Sequence, residues 1–176
     1  MVLRNRKESK TSTTPETIQL VTFRVGTEEF GLAIGVITEV IRPLPITALP
    51  RMPQFVEGVI NLRGRIIPIV DLRRRFGVLA GNTSHSKIRI LVTRGAVPGS
   101  SSTEGMLGLV VDGVREVLHA PTASIGGTPE AAKGSGTEFI AGVVKAVDRL
   151  IILIDITKIL SCEERAELTV AGDIHA

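Results

Sequence analysis

The chain contains a near-copy of itself, and that limits the folds open to its 176 residues. Gly31-Leu-Ala-Ile-Gly-Val-Ile-Thr-Glu-Val-Ile41 aligns with Gly108-Leu-Val-Val-Asp-Gly-Val-Arg-Glu-Val-Leu118. Phe55-Val-Glu-Gly-Val-Ile60 aligns with Phe139-Ile-Ala-Gly-Val-Val144, and the match runs on through Arg65 with Arg149, Ile67 with Ile151 and Asp71 with Asp155. A unit of roughly 75 residues is too small for a deep core alone, so two such units gain most by stacking and burying a joint one. The repeated segments are short, β-branched and spaced by glycine-rich turns, which points to β-barrels or a sandwich. The fold expected is mainly β: two similar small five-stranded barrels around a shared core, with short helices and a C-terminal helix. The first unit is placed at about residues 17–80 and the second at about 85–160, with strand exchange between them left open. Together they form a single domain over 17–168. Residues 1–16 read as a disordered basic tail, and 169–176 as a flexible one.

Within each copy one hairpin stands out. In the first, Val56 to Leu62 and Ile66 to Leu72 are apolar runs flanking Arg63-Gly64-Arg65, with Gly64 suited to the positive φ of a tight hairpin turn. Pro68 donates no ladder hydrogen bond, so its strand is expected to be an edge or to bulge there. Asp71 before Leu72-Arg-Arg-Arg-Phe76-Gly77 reads as the cap of a single helical turn closed by glycine. Thr157 to Leu168 has the composition of the C-terminal helix, with Cys162 expected to face the core.

The duplication also sorts residues by role. What both copies keep serves the shared fold: Gly58 and Gly142 as sites of close backbone approach or a bulge, Asp71 and Asp155 as caps, and Glu39–Arg65 and Glu116–Arg149 as equivalent cross-strand pairs. The hairpin tips do not match, since Asn61-Leu62-Arg63-Gly64 lies opposite Lys145-Ala146-Val147-Asp148. Arg63 is therefore not demanded by the architecture. An arginine at a glycine turn beside an exposed leucine suits an interface anchor, with a solvated turn arginine as the alternative.

Composition and motifs argue against several other functions. The single cysteine excludes an intrachain disulfide and fits a reducing compartment. No apolar stretch approaches the roughly 18 residues of a membrane span, and the basic, Ser/Thr-rich start up to Pro15 lacks the apolar segment of a signal peptide. His85, His119 and His175 sit apart from any metal-ligand spacing, and no nucleophile, zinc or dinucleotide signature occurs. No catalytic residue, metal or cofactor is expected. The net charge of +3 leaves a nucleic-acid-binding small barrel as the alternative function, but Trp and Tyr are absent and only five Phe are present to stack bases.

The residues Phe55 to Leu72 closely resemble the signature of CheW, the bacterial chemotaxis coupling family. Glu29-Phe30-Gly31-Leu32, Gly108 to Val114 and Thr137 to Gly142 resemble it in the same order and spacing. The resemblance covers about Ile18 to Leu160. It implies two SH3-like barrel subdomains and a non-enzymatic adaptor, a monomer in isolation. Such an adaptor bridges the cytoplasmic tips of methyl-accepting chemotaxis receptors to the regulatory domain of the histidine kinase CheA. That places it in the cytoplasm, recruited to membrane receptor arrays, with neither membrane insertion nor nucleic-acid binding. Beginning at Met1 with no kinase or receiver segment, the chain reads as a stand-alone adaptor. By position, the family's receptor-contacting surface falls on Ile37, Glu39, Val40, Gly58 and Arg63, to which the tip adds Asn61, Leu62 and Gly64. Kinase-contacting residues are not assigned. The family's loop corresponding to Ile125–Thr137 departs here, with Gly126 and Ala131 replacing an arginine and a bulky apolar residue. Glu130, which is kept, is the single candidate there.

Overall fold

The computed structural model describes residues 14–78, 84–96, 105–130, 133–134 and 136–173. Residues 1–13 of the expected 1–16 tail, residues 174–176 of the expected 169–176 tail, and Ala131 lie outside them. Among the described residues eleven strands and two α-helices follow in chain order: β1 Thr17–Val25, β2 Glu28–Ala33, β3 Ile37–Ile41, β4 Val56–Leu62, β5 Arg65–Asp71, α1 Leu72–Arg75, β6 Arg89–Thr93, β7 Leu107–Val111, β8 Gly113–Pro121, β9 Ile125–Gly126, β10 Ile140–Ala146, β11 Arg149–Ile154 and α2 Cys162–Asp173.

The strands form two sheets, ordered β8-β1-β2-β11-β10-β9 and β3-β6-β7-β5-β4. The duplication is visible in this order. β2 and β3 carry the segment repeated in β7 and β8, and β4–β5 the hairpin repeated in β10–β11, so the two sheets match position by position. In each, a hairpin's second strand runs parallel to a glycine-bearing strand: Leu153 opposite Gly31 in one, and Ile69 opposite Gly108 in the other. The sixth strand, where five were expected, is the two-residue β9, which pairs with Val143 and Val144. Its counterpart in the other sheet is a single bridge, Thr47 with Val59. Neither sheet is built from one copy. β1 and β2 join β8–β11, while β6 and β7 join β3–β5, the chain crossing at 34–36 and again at Asp112.

The burial pattern explains why the halves interlock. Ile60, Ile67, Ile69, Ile90 and Val92 form one cluster within the five-stranded sheet, and Leu20, Val144, Ile151 and Leu153 another within the six-stranded one. The third and largest draws Phe23, Phe30 and Leu32 from one sheet and Val70, Leu91, Leu107 and Leu109 from the other. This is the joint core expected of two units too small to stand alone. Its rings run in series, with centroids 6.2 Å apart for Phe23–Phe30, 4.8 Å for Phe30–Phe76 and 4.3 Å for Phe76–Phe139.

Local signals behave as their chemistry dictates. Asp71 accepts from the Arg73 backbone N–H at 2.9 Å, and Gly77 closes the turn with φ +66°. Asp155 likewise accepts from Thr157 N–H at 3.0 Å. The expected helix over Thr157–Leu168 is in fact two pieces. A 3-10 turn at Ile156–Lys158 ends at buried Ile159 and Leu160, and α2 starts afresh beyond Ser161. The restart is a capping box: Glu164 N–H donates to Ser161 Oγ at 3.2 Å, and Ser161 N–H donates to Glu164 Oε2 at 2.7 Å. Cys162, in the first turn after this cap, is exposed and not core-facing. Pro68 is accommodated within an interior strand, because β5 pairs with β7 only from Ile69 onward and the proline precedes that ladder.

Candidate functional site

The first hairpin closes through a two-residue turn in which both central residues have positive φ, Arg63 at 53° and Gly64 at 82°. This is the backbone twist that suits a tight antiparallel hairpin. Asn61 steadies it by accepting the Gly64 N–H on Oδ1 at 2.9 Å. Glycine takes such a conformation freely; arginine does so at a cost of about 1 kcal/mol. Among the described residues only Arg51 and Arg63 are non-glycine residues with positive φ.

What holds Arg63 there is a carboxylate. Its guanidinium donates to both oxygens of Glu39, at 2.7 and 3.1 Å, in a two-point fork. Glu39 lies on β3, at one edge of the five-stranded sheet, and the hairpin's β4 lies at the other edge. The ion pair therefore ties the hairpin tip to the opposite edge strand. The partner expected for Glu39 was Arg65, and the structure replaces it. Arg65 instead points its guanidinium at Met106 Sδ, 3.7 Å away. The second copy shows why. There Arg149 pairs with Glu116 as expected and also approaches Glu29 at 3.6 Å, and Glu29 of the first copy stands beside the second hairpin where its repeat partner, Met106 of the second copy, stands beside the first. With a thioether in that place and a second arginine at the tip, Glu39 is left to Arg63.

The other predicted residues divide by exposure. Val40, Asn61, Arg63 and Gly64 are exposed; Ile37, Glu39 and Leu62 are half-buried; Gly58 is buried. Leu62, expected to be exposed, packs beside Ile41 and Ile46 against the core of its sheet. Gly58 has φ +138° at a bulge in β4, and a Cβ there would lie 2.1 Å from the Thr47 carbonyl oxygen. Its close neighbour is thus its own chain. Gly142 repeats this against the Gly126 carbonyl, at 2.5 Å. Val40 follows Glu39 on β3, where successive side chains leave on opposite faces. It lines a cleft between the sheets, together with Val114, rather than joining Arg63. Glu130 is exposed at a turn closed by Lys133 N–H to its carbonyl, and its carboxylate pairs with the Lys133 ammonium.

Two features escaped the sequence reading. One is a buried polar junction. Arg73 donates to Asp71 through Nε at 3.0 Å and through the guanidinium at 2.8 Å, and reaches Asp112 at 3.4 Å. Asp112, 4% exposed, also accepts the Gly26 N–H at 2.7 Å. The Asp71 hydrogen bond raises the Arg73 pKa above its usual value against the opposing effect of burial. Asp112 replaces Gly35 of the first copy, and that mismatch was the available signal. The other is the cleft itself, whose cations come from segments far apart in the chain. Among the described residues no group of three or more His, Cys, Asp and Glu side chains is placed to hold a metal ion.

Comparison with known proteins supplies the context. The family model of the CheW-like domain matches residues 19–164. The chain is 34% identical over 148 residues to the chemotaxis protein CheW of Klebsiella aerogenes, covering 84% of each. It is 33% identical over 153 residues to that of Treponema pallidum, covering 87% of this chain and 88% of the relative. Among solved structures it resembles the scaffolding protein TtCheW of Thermoanaerobacter tengcongensis, with a TM-score of 0.74 and 34% identity across 85% of this chain and 96% of that one. Matched over most of its length in sequence and in fold, the chain belongs to the CheW family of chemotaxis scaffold proteins.

Proposed function

We propose that the protein is a non-catalytic coupler that joins the cytoplasmic tips of chemoreceptors to the regulatory domain of the histidine kinase CheA. It works as a cytoplasmic protein recruited to receptor arrays. The observation that carries this reading is the tip of the first hairpin. Arg63 has a side chain 75% exposed, is held in a costly backbone conformation and is oriented by a two-point contact to Glu39. The second copy closes the equivalent turn without an arginine, so the residue answers a need other than folding. Pre-orienting an exposed guanidinium lowers the side-chain entropy lost on docking, which suits an anchor for a partner helix. Exposed Asn61 and Gly64 flank it, with Ile37, Glu39 and Leu62 as its support. Gly58 acts through the backbone bulge that places the hairpin. Val40 contributes from the other face of its strand. The candidate kinase contact is Glu130. No helix among the described residues is long and apolar enough to cross a membrane; in this reading the receptor and kinase contacts are what hold the protein at the array.

The test is co-sedimentation with receptor signalling fragments and, separately, with the CheA regulatory domain. Arg63→Ala is expected to weaken receptor capture while kinase binding and the melting temperature stay near wild type. Equal loss of both partners, or no loss of receptor capture, would count against the assignment.

A further inference from the structure

Between the sheets lies a half-open cleft of about 630 Å³ whose lining is strongly one-sided in charge. Arg24 enters from β1, Lys87 and Arg89 from the turn and strand at β6, and Arg115 from β8, against a single carboxylate, Asp112. That carboxylate is already committed to Gly26 N–H and Arg73, so it does little to neutralise the cations. Arg115 has Glu29 at 3.6 Å. Among the described residues Arg24 and Arg89 hydrogen-bond only to backbone carbonyls, of Gly26 and of Ser86 and Ile88, which orients them without pairing their charge. Lys87 forms no ion pair among the described residues. Ser84 and Ser86, 2.9 Å apart, add hydroxyls to the rim.

We propose that this cleft binds an oligophosphate, the di- or triphosphate chain of a nucleotide or the free inorganic chain. Cations converging from three elements around a concavity suit a compact, multiply charged anion better than an extended acidic helix. The guanidinium forks of Arg24 and Arg89 and the hydroxyls of Ser84 and Ser86 supply the donors that phosphate oxygens accept. The volume lies within the range of small-ligand sites. Among the described residues no aromatic side chain lines the cleft to stack a base, so the phosphate chain is the group the cleft is built to hold.

The experiment is isothermal titration calorimetry on the full chain at low ionic strength, with tripolyphosphate, ATP and a polyglutamate peptide as titrants. Lys87→Glu and Arg24→Glu are each compared with Lys158→Glu, which makes the same charge change on an exposed lysine whose surroundings share no residue with the cleft. Binding of tripolyphosphate, weakened at least about tenfold by either cleft variant as attraction becomes repulsion, and less than about twofold by the control, supports the site. ATP binding with similar affinity supports recognition of the chain alone, and tighter ATP binding names the nucleotide as its source. The proposal fails if tripolyphosphate does not bind at millimolar concentration, if all three variants weaken it alike, or if polyglutamate binds more tightly. Circular dichroism melts of each variant separate loss of the site from loss of the fold.

Discussion

Replacing Arg63 by glycine separates what the residue does for the fold from what it does for recognition. In the native turn Arg63 has φ 53°, a conformation costing an L-residue about 1 kcal/mol that glycine avoids. Glycine also loosens the unfolded chain, which costs roughly 0.4–1 kcal/mol. The lost pair with Glu39 is between a largely exposed guanidinium and a half-buried carboxylate, and such pairs contribute about 0.2–1 kcal/mol after screening. These terms nearly cancel, so Arg63→Gly should lie within about 1 kcal/mol of wild type, or roughly 2–4 °C in melting temperature for a domain of this size. Arg63→Ala keeps the unfavourable backbone and loses the pair, and should melt slightly below the glycine variant. Both should lose receptor capture to the same degree. The assay is a thermal melt by circular dichroism beside co-sedimentation of the same preparations. A drop of more than about 5 °C for Arg63→Gly, or receptor capture retained at the wild-type level, would refute the separation.

Two further substitutions probe the supporting structure. Gly58→Ala places a Cβ 2.1 Å from the Thr47 carbonyl oxygen at a φ that disfavours side chains. It should destabilise by about 3 kcal/mol or more, read as a lowered urea midpoint with the slope unchanged. Asp112→Ala orphans the buried Gly26 N–H and removes a partner of Arg73, at an expected loss of about 2–4 kcal/mol; a urea midpoint near wild type would show that water or Asp71 replaces it.

The elements and their recurrence as two like sets were legible because repetition, alternation and caps are local or self-referential signals; the exchange of β1–β2 and β6–β7 between the sheets was only left open, because it rests on pairing between distant segments. Gly64, Asp71 and Asp155 could each be read from a few neighbouring residues. The choice of Glu39's partner could not. It turned on whether Arg65 or Arg63 reaches across the sheet, which depends on Met106 standing where the other copy has Glu29, a contact between distant segments. Leu62 misled because a leucine beside a turn looks exposed until Ile41 and Ile46 are placed against it. Cys162 misled because the helix was read as continuous, and the Ser161–Glu164 cap that restarts it turns the cysteine outward. Arg24, Lys87, Arg89 and Arg115 carried no pattern in sequence, since only the meeting of the two sheets gathers them.

The strand exchange has a consequence for the order in which the molecule assembles. The five-stranded sheet uses β3–β7 alone, an unbroken stretch of the chain nested inside the six-stranded sheet, whose strands come before and after it. During synthesis β1 and β2 emerge first, but Phe30 and Gly31 pair with Ile152 and Leu153. The inner sheet can close once Val111 has left the ribosome, while the first hairpin made waits for the last strands, with Leu20 uncovered until Val144, Ile151 and Leu153 arrive. Closing so long a loop is entropically slow. The inner sheet then serves as the template on which the outer one is laid, and the oldest part of each nascent chain is the last to find its place.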